Sequence, residues 1–392
     1  MKLDKPRLPV RYIHNSTDAA ELLSALEGAL TVAIDAERAS GFRYSHKAYL
    51  IQIAIEGQAI WLVDPTIEDL PISDIAASLG KKTWLLHAAT QDLPCLAELG
   101  IHPAGLIDTE LSARLAGLDR VGLGSLCESL LDLELAKEHS AADWSKRPLT
   151  QEMIDYAALD VDVMFELWSA IKSLLIEQGK LSWAEEEFEN LLAFKPKPQA
   201  KEPWRHLPGM IKVKDLAKLK IAASLWLKRD ELARDQDIAP GRLIPDRSIS
   251  AAAMQAPKTK SELAGNSDFQ GRASRSLLST WWQAIQSSQE LEITLENPEK
   301  HQGIPNHKSW ERRFPEAHQR LEAVRPLVVE LALELKLPVE NLLTPDLLRR
   351  VMFQPEADIS AQLKSLGARG WQIELTTEPI LRGLRSLDTP EV

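Results

Sequence analysis

Residues 31–37, Thr-Val-Ala-Ile-Asp-Ala-Glu, decide how this chain is read. A short β-rich run, TVAID, ends in two carboxylates, Asp35 and Glu37, spaced i and i+2. Residues two apart on a strand point to the same face, so both acids project from one spot. Like charges held that close repel unless a cation neutralises them. Hard divalent cations such as Mg²⁺ are held by carboxylate oxygens and water. Taken alone, the pair reads more simply as a strand ending in two solvated acids.

Working outward, residues 49–55 (YLIQIAI) and 59–64 (AIWLVD) flank the turn signal Glu56-Gly57-Gln58 and predict a hairpin. A fourth run, TWLLHA at 83–88, follows a helical stretch. Asp92 lies in the loop after it, where a carboxylate can point at the same end of the sheet as Asp35. The competing reading is an N-cap, because Asp92 precedes LPCLAEL with a proline just inside. Helical patterns follow from 106 (LIDTELSARLAGL), from 121 (VGLGSLCESLLDL) and from 150 (TQEMIDYAALDVDVMFELWSAIKSLLIEQ). Tyr156 and Asp160, at i and i+4, share a helix face; in isolation they read as a half-buried phenol and a surface acid. Asp155 and Asp162 fall on other faces and are expected to be solvated or to sit behind the site. Strands first and helices after predict an α/β domain with a mixed sheet covered by helices.

The chain has 392 residues, 44% hydrophobic and 26% charged, ordinary values for a globular protein of several domains. Its net charge of -11 argues against a nucleic-acid partner only until it is divided. Residues 1–200 carry 18 basic and 31 acidic side chains, 201–290 carry 15 and 10, and 291–392 carry 13 and 16. A basic block therefore sits in the middle. Its members include Lys212, Lys214, Lys218, Lys220, Lys228 and Arg229, which can bind phosphates by releasing counterions or simply solvate a helix. Cys95 and Cys127 fit two buried thiols in a reducing cytoplasm. The N-terminal residues lack the apolar core of a signal peptide, and no apolar run reaches the ~18 residues of a membrane span. A cytoplasmic protein with no membrane association is expected.

The Pro- and Lys-rich stretch AFKPKPQAKEPW, 193–204, predicts a linker. It divides the α/β half, 1–192, from two helical bundles at 205–290 and 291–392. In the first, Leu216, Leu219, Ala223, Trp226 and Leu227 have helix-face spacing. Trp281 and Trp282 are adjacent and cannot both face a core.

In order and together, a strand DxE, an Asp after a later strand and a YxxxD helix make up the pattern of the four-acid 3′–5′ exonucleases. The tyrosine version is indicated, since the histidine version would place His where Asp155 stands. AYLIQIAIEGQAIWLVDPT, LLHAATQDLPCL and ADWSKRPLTQEMIDYAALDV resemble the corresponding blocks of the ribonuclease D family over about residues 30–175. WRHLPG at 204–209, LKRDELARDQDIAPGRLIPD and the PKTKSELAG turn resemble a helicase-and-RNase-D C-terminal (HRDC) domain, and the last hundred residues resemble the second, divergent HRDC-like domain of that family.

This resemblance implies a ribonuclease-H-like exonuclease domain followed by two small all-α HRDC-type bundles. It implies two divalent cations, Mg²⁺ or Mn²⁺, held by Asp35, Glu37, Asp92 and Asp160, with Tyr156 orienting the attacking water. It also implies nucleoside 5′-monophosphates released from RNA with a free 3′ end, such as tRNA precursors, by a monomeric enzyme. Gln52 and His87 are candidates for positioning substrate or supporting the acids. Phe42 and Tyr44 are candidates for stacking terminal bases, and Lys146 and Arg147 for holding a phosphate. Two alternatives remain, a DNA exonuclease on the same core and a non-catalytic RNA-binding scaffold; the intact acid set argues against the scaffold.

Overall fold

The computed structural model describes residues 1–136, 142–296 and 303–388. Parts of the ends expected for the last domain, 297–302 and 389–392, lie outside the described residues.

The first strands in chain order are β1 (Lys2–Leu3), β2 (Val10–Ile13), β3 (Thr31–Arg38), β4 (Ala48–Ala54) and β5 (Ile60–Val63). They are followed by β6 (Thr83–Leu86), β7 (Gly105–Asp108) and β8 (Glu134–Leu135). Six of them form one sheet in the order β2-β5-β4-β3-β6-β7. The β3–β4 and β4–β5 pairs are antiparallel, whereas β2–β5, β3–β6 and β6–β7 are parallel, so the sheet is mixed. Strands β1 and β8 form a separate parallel pair. Central β4 is buried along its whole length, which explains its nearly continuous apolar sequence. The predicted hairpin is the β4–β5 pair.

Three local differences from the sequence reading have physical causes. Leu106–Asp108, read as the start of a helix, is the end of β7, paired in register with β6. The helix begins one residue later, at Thr109, because the Asp108 carboxylate accepts the Glu110 and Leu111 amides as an N-cap. The long pattern from 150 is two helices, Gln151–Asp162 and Met164–Glu177, separated at Val163. The Thr150 hydroxyl caps the first. Asp162, expected to be solvated or behind the site, is buried and ion-paired to Arg7 at 2.9 Å.

Helix Leu181–Leu192 closes this domain. The chain reaches the middle helical module at Pro203 rather than after Trp204, since Trp204 is already buried in the module's core. That core gathers Leu219, Phe269 and Trp281 around helix Leu216–Asp235. Trp281 is buried and Trp282 packs only partly. Leu216 and Leu227 of the predicted face are exposed instead, and Leu225 and Arg229 take the inward positions. The C-terminal region, with helices Pro315–Glu334 and Gly370–Asp388, shares one continuous apolar core with the exonuclease-like domain. Among the described residues, no helix is long and apolar enough to cross a membrane.

Candidate active site

Strand β3 delivers Asp35 and Glu37 to one face, as their spacing requires, under the helix Gln151–Asp162. That helix turns Tyr156 and Asp160 toward them. Carboxylate oxygens of Asp35, Glu37 and Asp160 lie within 4.8 Å of one another. Asp92 comes from the turn after β6. This turn is set by Ala88 in a left-handed conformation (φ 58°) and pinned by the Asp108 carboxylate, which accepts the Ala88 and Ala89 amides. The Asp92 side chain makes no cap to the helix behind it, contrary to the N-cap reading. It is 4% exposed and feels the charge of the Asp35 carboxyl, with which it lines the same cleft.

These groups line a cleft of about 290 Å³ together with Arg38, His87, Gln91 and Leu123. Burial raises the carboxyl pKa of Asp35, Glu37, Asp92 and Asp160, and repulsion from neighbouring acids adds to the rise at Glu37, Asp92 and Asp160. Asp92 is pushed up to about 9. A crowded set of hard oxygen donors with too little counter-charge fits a divalent cation. The Tyr156 phenol is raised above its ordinary value by burial and then by Asp160, Glu37 and Asp35.

His87 is neutral near pH 7, since burial brings its pKa down to about 4. Its Nδ1 lies 2.9 Å from the Thr109 hydroxyl, which itself donates to the Leu86 carbonyl at 3.1 Å. That hydroxyl proton is already committed, so Nδ1–H is assigned as the donor and Nε2 keeps its lone pair.

Arg38 escaped the sequence reading. It is the one arginine or lysine among the described residues lining the cleft, with its guanidinium 3.9 Å from Asp92. Its only signal was adjacency to Glu37.

Of the five other candidates, Arg147, Phe42 and Tyr44 are engaged elsewhere, Gln52 is enclosed and Lys146 is exposed. Gln52 stands opposite Asp35 in the ladder but is wholly buried, so substrate cannot touch it; its amide has no hydrogen-bond partner among the described residues. Arg147 is consumed by structure. The β3–β4 register shifts between Glu37 and Arg38, leaving Tyr49 as an extra residue on β4. Arg147 donates to the Tyr49 carbonyl at 2.6 Å and pairs with Asp64 at 2.5 Å, and Asp64 also accepts from the Tyr12 hydroxyl. Phe42 lies under the Arg242 guanidinium, 4.0 Å from its ring centre, and Tyr44 donates from its hydroxyl to Asp230 at 3.0 Å. Both rings therefore meet the middle helical module rather than an open base-stacking position. Lys146 is exposed and is not among the residues lining the cleft.

Comparisons with known proteins agree with this geometry. Residues 10–176 match a 3′–5′ exonuclease family model and residues 218–285 match the HRDC domain. Residues 303–384 match a model described as a 3′ to 5′ exonuclease C-terminal domain, so the last region, expected to be a second HRDC-like bundle, corresponds to a model of its own. Ribonuclease D of Zymomonas mobilis is 30% identical over 258 residues, 64% of this chain and 65% of that protein. Ribonuclease D of Sphingobium indicum is 28% identical over 260 residues, 64% of this chain and 66% of that protein. The matches thus span slightly less than two thirds of these relatives. A crystal structure of a Bifidobacterium adolescentis protein superposes with a TM-score of 0.88 at 35% identity, covering 98% of this chain and 99% of that one. Escherichia coli RNase D shares the fold, with a TM-score of 0.68 at 23% identity over 97% and 99% of the two chains. The chain therefore carries a 3′–5′ exonuclease domain followed by an HRDC helical domain, and over nearly two thirds of its length it is similar to proteins named ribonuclease D.

Proposed function

We propose that this protein is a metal-dependent 3′–5′ exoribonuclease. It removes nucleoside 5′-monophosphates from RNA 3′ ends, tRNA precursors or other structured RNA among them. The observation that carries this reading is the convergence of Asp35, Glu37 and Asp160 within 4.8 Å, with Asp92 against Asp35 and Tyr156 beside Asp160. Asp35, Glu37, Asp92 and Asp160 would hold two divalent cations. Bound there, Mg²⁺ or Mn²⁺ stabilises charge on the attacking and leaving oxygens and favours ionisation of water.

The protein's own groups have distinct tasks. Tyr156 keeps its proton at neutral pH, because its phenol is raised above its ordinary range. It therefore orients the attacking water by hydrogen bonding instead of serving as the base. Arg38 brings a permanent positive charge to a cleft that must receive a phosphate. His87 supplies an uncharged imidazole whose Nε2 can accept a hydrogen bond from a substrate hydroxyl.

The test is 3′-end trimming of a tRNA precursor, with and without chelation, beside matched RNA and DNA oligomers. Asp35→Asn should lower turnover at least about 10³-fold, the size of several kcal/mol of lost charge stabilisation. Equal rates on RNA and DNA would remove the ribonuclease assignment. Full activity in Asp35→Asn would remove the site.

A further inference from the structure

The loop that leaves β3, residues 39–47, begins one residue beyond Arg38 and two beyond Glu37. It does not project freely into solvent. The Asp237 carboxylate accepts the backbone amides of Tyr44 and Ser45, each at 3.2 Å. The Ala239 amide donates to the Phe42 carbonyl at 3.0 Å, and Arg242 donates to the Gly41 carbonyl at 2.7 Å. The Tyr44 ring packs partly on the apolar core of the middle helical module, with the Arg234 guanidinium 5.8 Å from its centre. On its other side, the same loop reaches the segment preceding the Tyr156 helix, where Arg43 donates to the Ser145 hydroxyl at 2.7 Å.

The helical module therefore holds one end of the strand that carries two of the four acids. It holds that end where the β3–β4 ladder is weakest, at the register shift between Glu37 and Arg38. The ladder is interrupted at this bulge, so the loop held beyond it, together with Arg147 on the Tyr49 carbonyl, bears on the direction of the side chains before it. Asp237 has the left-handed backbone (φ 45°) of a residue just past a helix end, and the Ile238 amide closes that end on the Ala233 carbonyl at 2.9 Å, which fixes where its carboxylate stands.

We propose that Tyr44 is a positioning residue. Through its hydroxyl bond to Asp230 and its amide bond to Asp237, the helical module sets the placement of Glu37 and Arg38 in the catalytic cleft. The module then acts on the chemical step itself, in addition to any affinity for long RNA. This rests on the exonuclease reading above.

The experiment measures kcat and KM on an RNA dinucleotide, which occupies only the cleft, and on a long RNA. It uses the full-length wild type, Tyr44→Phe, Asp230→Ala, their double variant and Asp237→Ala, with melting temperatures recorded for each. Tyr44→Phe is expected to lower dinucleotide kcat by about tenfold, as small misplacements of reacting groups do, with melting nearly unchanged. The double variant should be no slower than the slower single variant, since each single change already removes the Tyr44–Asp230 bond. Asp237→Ala should lose at least as much kcat as Tyr44→Phe. Unchanged dinucleotide kcat in both Tyr44→Phe and Asp237→Ala overturns the proposal. So does a rise confined to KM for long RNA, which would make Tyr44 a direct substrate contact, or a kcat loss that merely follows unfolding at the assay temperature. A wild type without exonuclease activity would instead overturn the functional reading.

Discussion

The two helical regions attach to the exonuclease domain by opposite means. The C-terminal region is fused to it through a common apolar core. Trp371 stacks on Trp183 with ring centres 5.0 Å apart, and its indole donates to Glu187 at 3.1 Å. Arg369 makes a two-pronged bond to the same buried carboxylate, at 2.7 Å for each oxygen. Buried Lys180 donates to the carbonyls of Leu115 and Leu335 at 2.9 and 2.7 Å, joining the two parts. The middle module keeps its own core, and among the described residues its hydrogen bonds to the catalytic domain are concentrated on the loop after β3. One helical region is thus part of the scaffold, while the other grips the cleft. Similar helical composition conceals this division, because it depends on what the helices touch.

The sharpest way to break this contrast is Trp371→Ala. Truncating a buried indole at a shared core should cost about 3–5 kcal/mol. In denaturant unfolding the loss should fall on the exonuclease and C-terminal regions together, with the middle module's transition unmoved. A loss confined to the C-terminal region would show that the two cores are separate. Next in size is Arg229→Ala. Arg229 is buried and donates to the Ile244 carbonyl at 3.0 Å and to Asp246 at 2.6 Å, both inside the middle module. Removing a charged donor of this kind should cost about 1.5–3 kcal/mol. Hydrogen exchange should rise in residues 216–255 and stay constant in helices Leu181–Leu192 and Gly370–Asp388.

The smallest expected effect comes from the cleft. The four acids have raised pKa values in the folded protein, so they favour folding while protonated. That contribution is full below the ordinary carboxylate range near 4 and is lost as pH climbs through the folded values, about 9 for Asp92. In chelator, the melting temperature of the exonuclease and C-terminal unit should therefore fall between pH 5 and 9. Mg²⁺ should restore it most at the alkaline end. A melting curve indifferent to Mg²⁺ at every pH would contradict a cation site.

Much of the site was legible because its signals are local. The i, i+2 spacing of Asp35 and Glu37 and the i, i+4 spacing of Tyr156 and Asp160 fix side-chain direction wherever the strand and helix form. Strands β2 and β7 were missed because VRYI sets an arginine in a short run, unlike the wholly apolar IWLV of β5, and Leu106–Asp108 runs straight into a helix. The roles of Arg147, Phe42 and Tyr44 depended on partners 83 to 200 residues away, which no spacing rule reaches. Gln52 is a subtler case. Its strand position beside Asp35 was readable, but its complete enclosure required the covering helix to be placed.

The common core also dictates an order of events during synthesis. Trp371 and Glu187 meet across 184 positions of sequence. At about 5–20 residues per second, a ribosome needs roughly 10–40 s to deliver the second after the first. Throughout that interval the emerging catalytic domain displays Trp183 and the apolar side of helix Leu181–Leu192 with no cover. The middle module, made in between, carries the residues for its own core and can fold while the catalytic domain waits. The nascent chain is therefore most exposed to aggregation after its active-site residues have been made and before its last helix emerges.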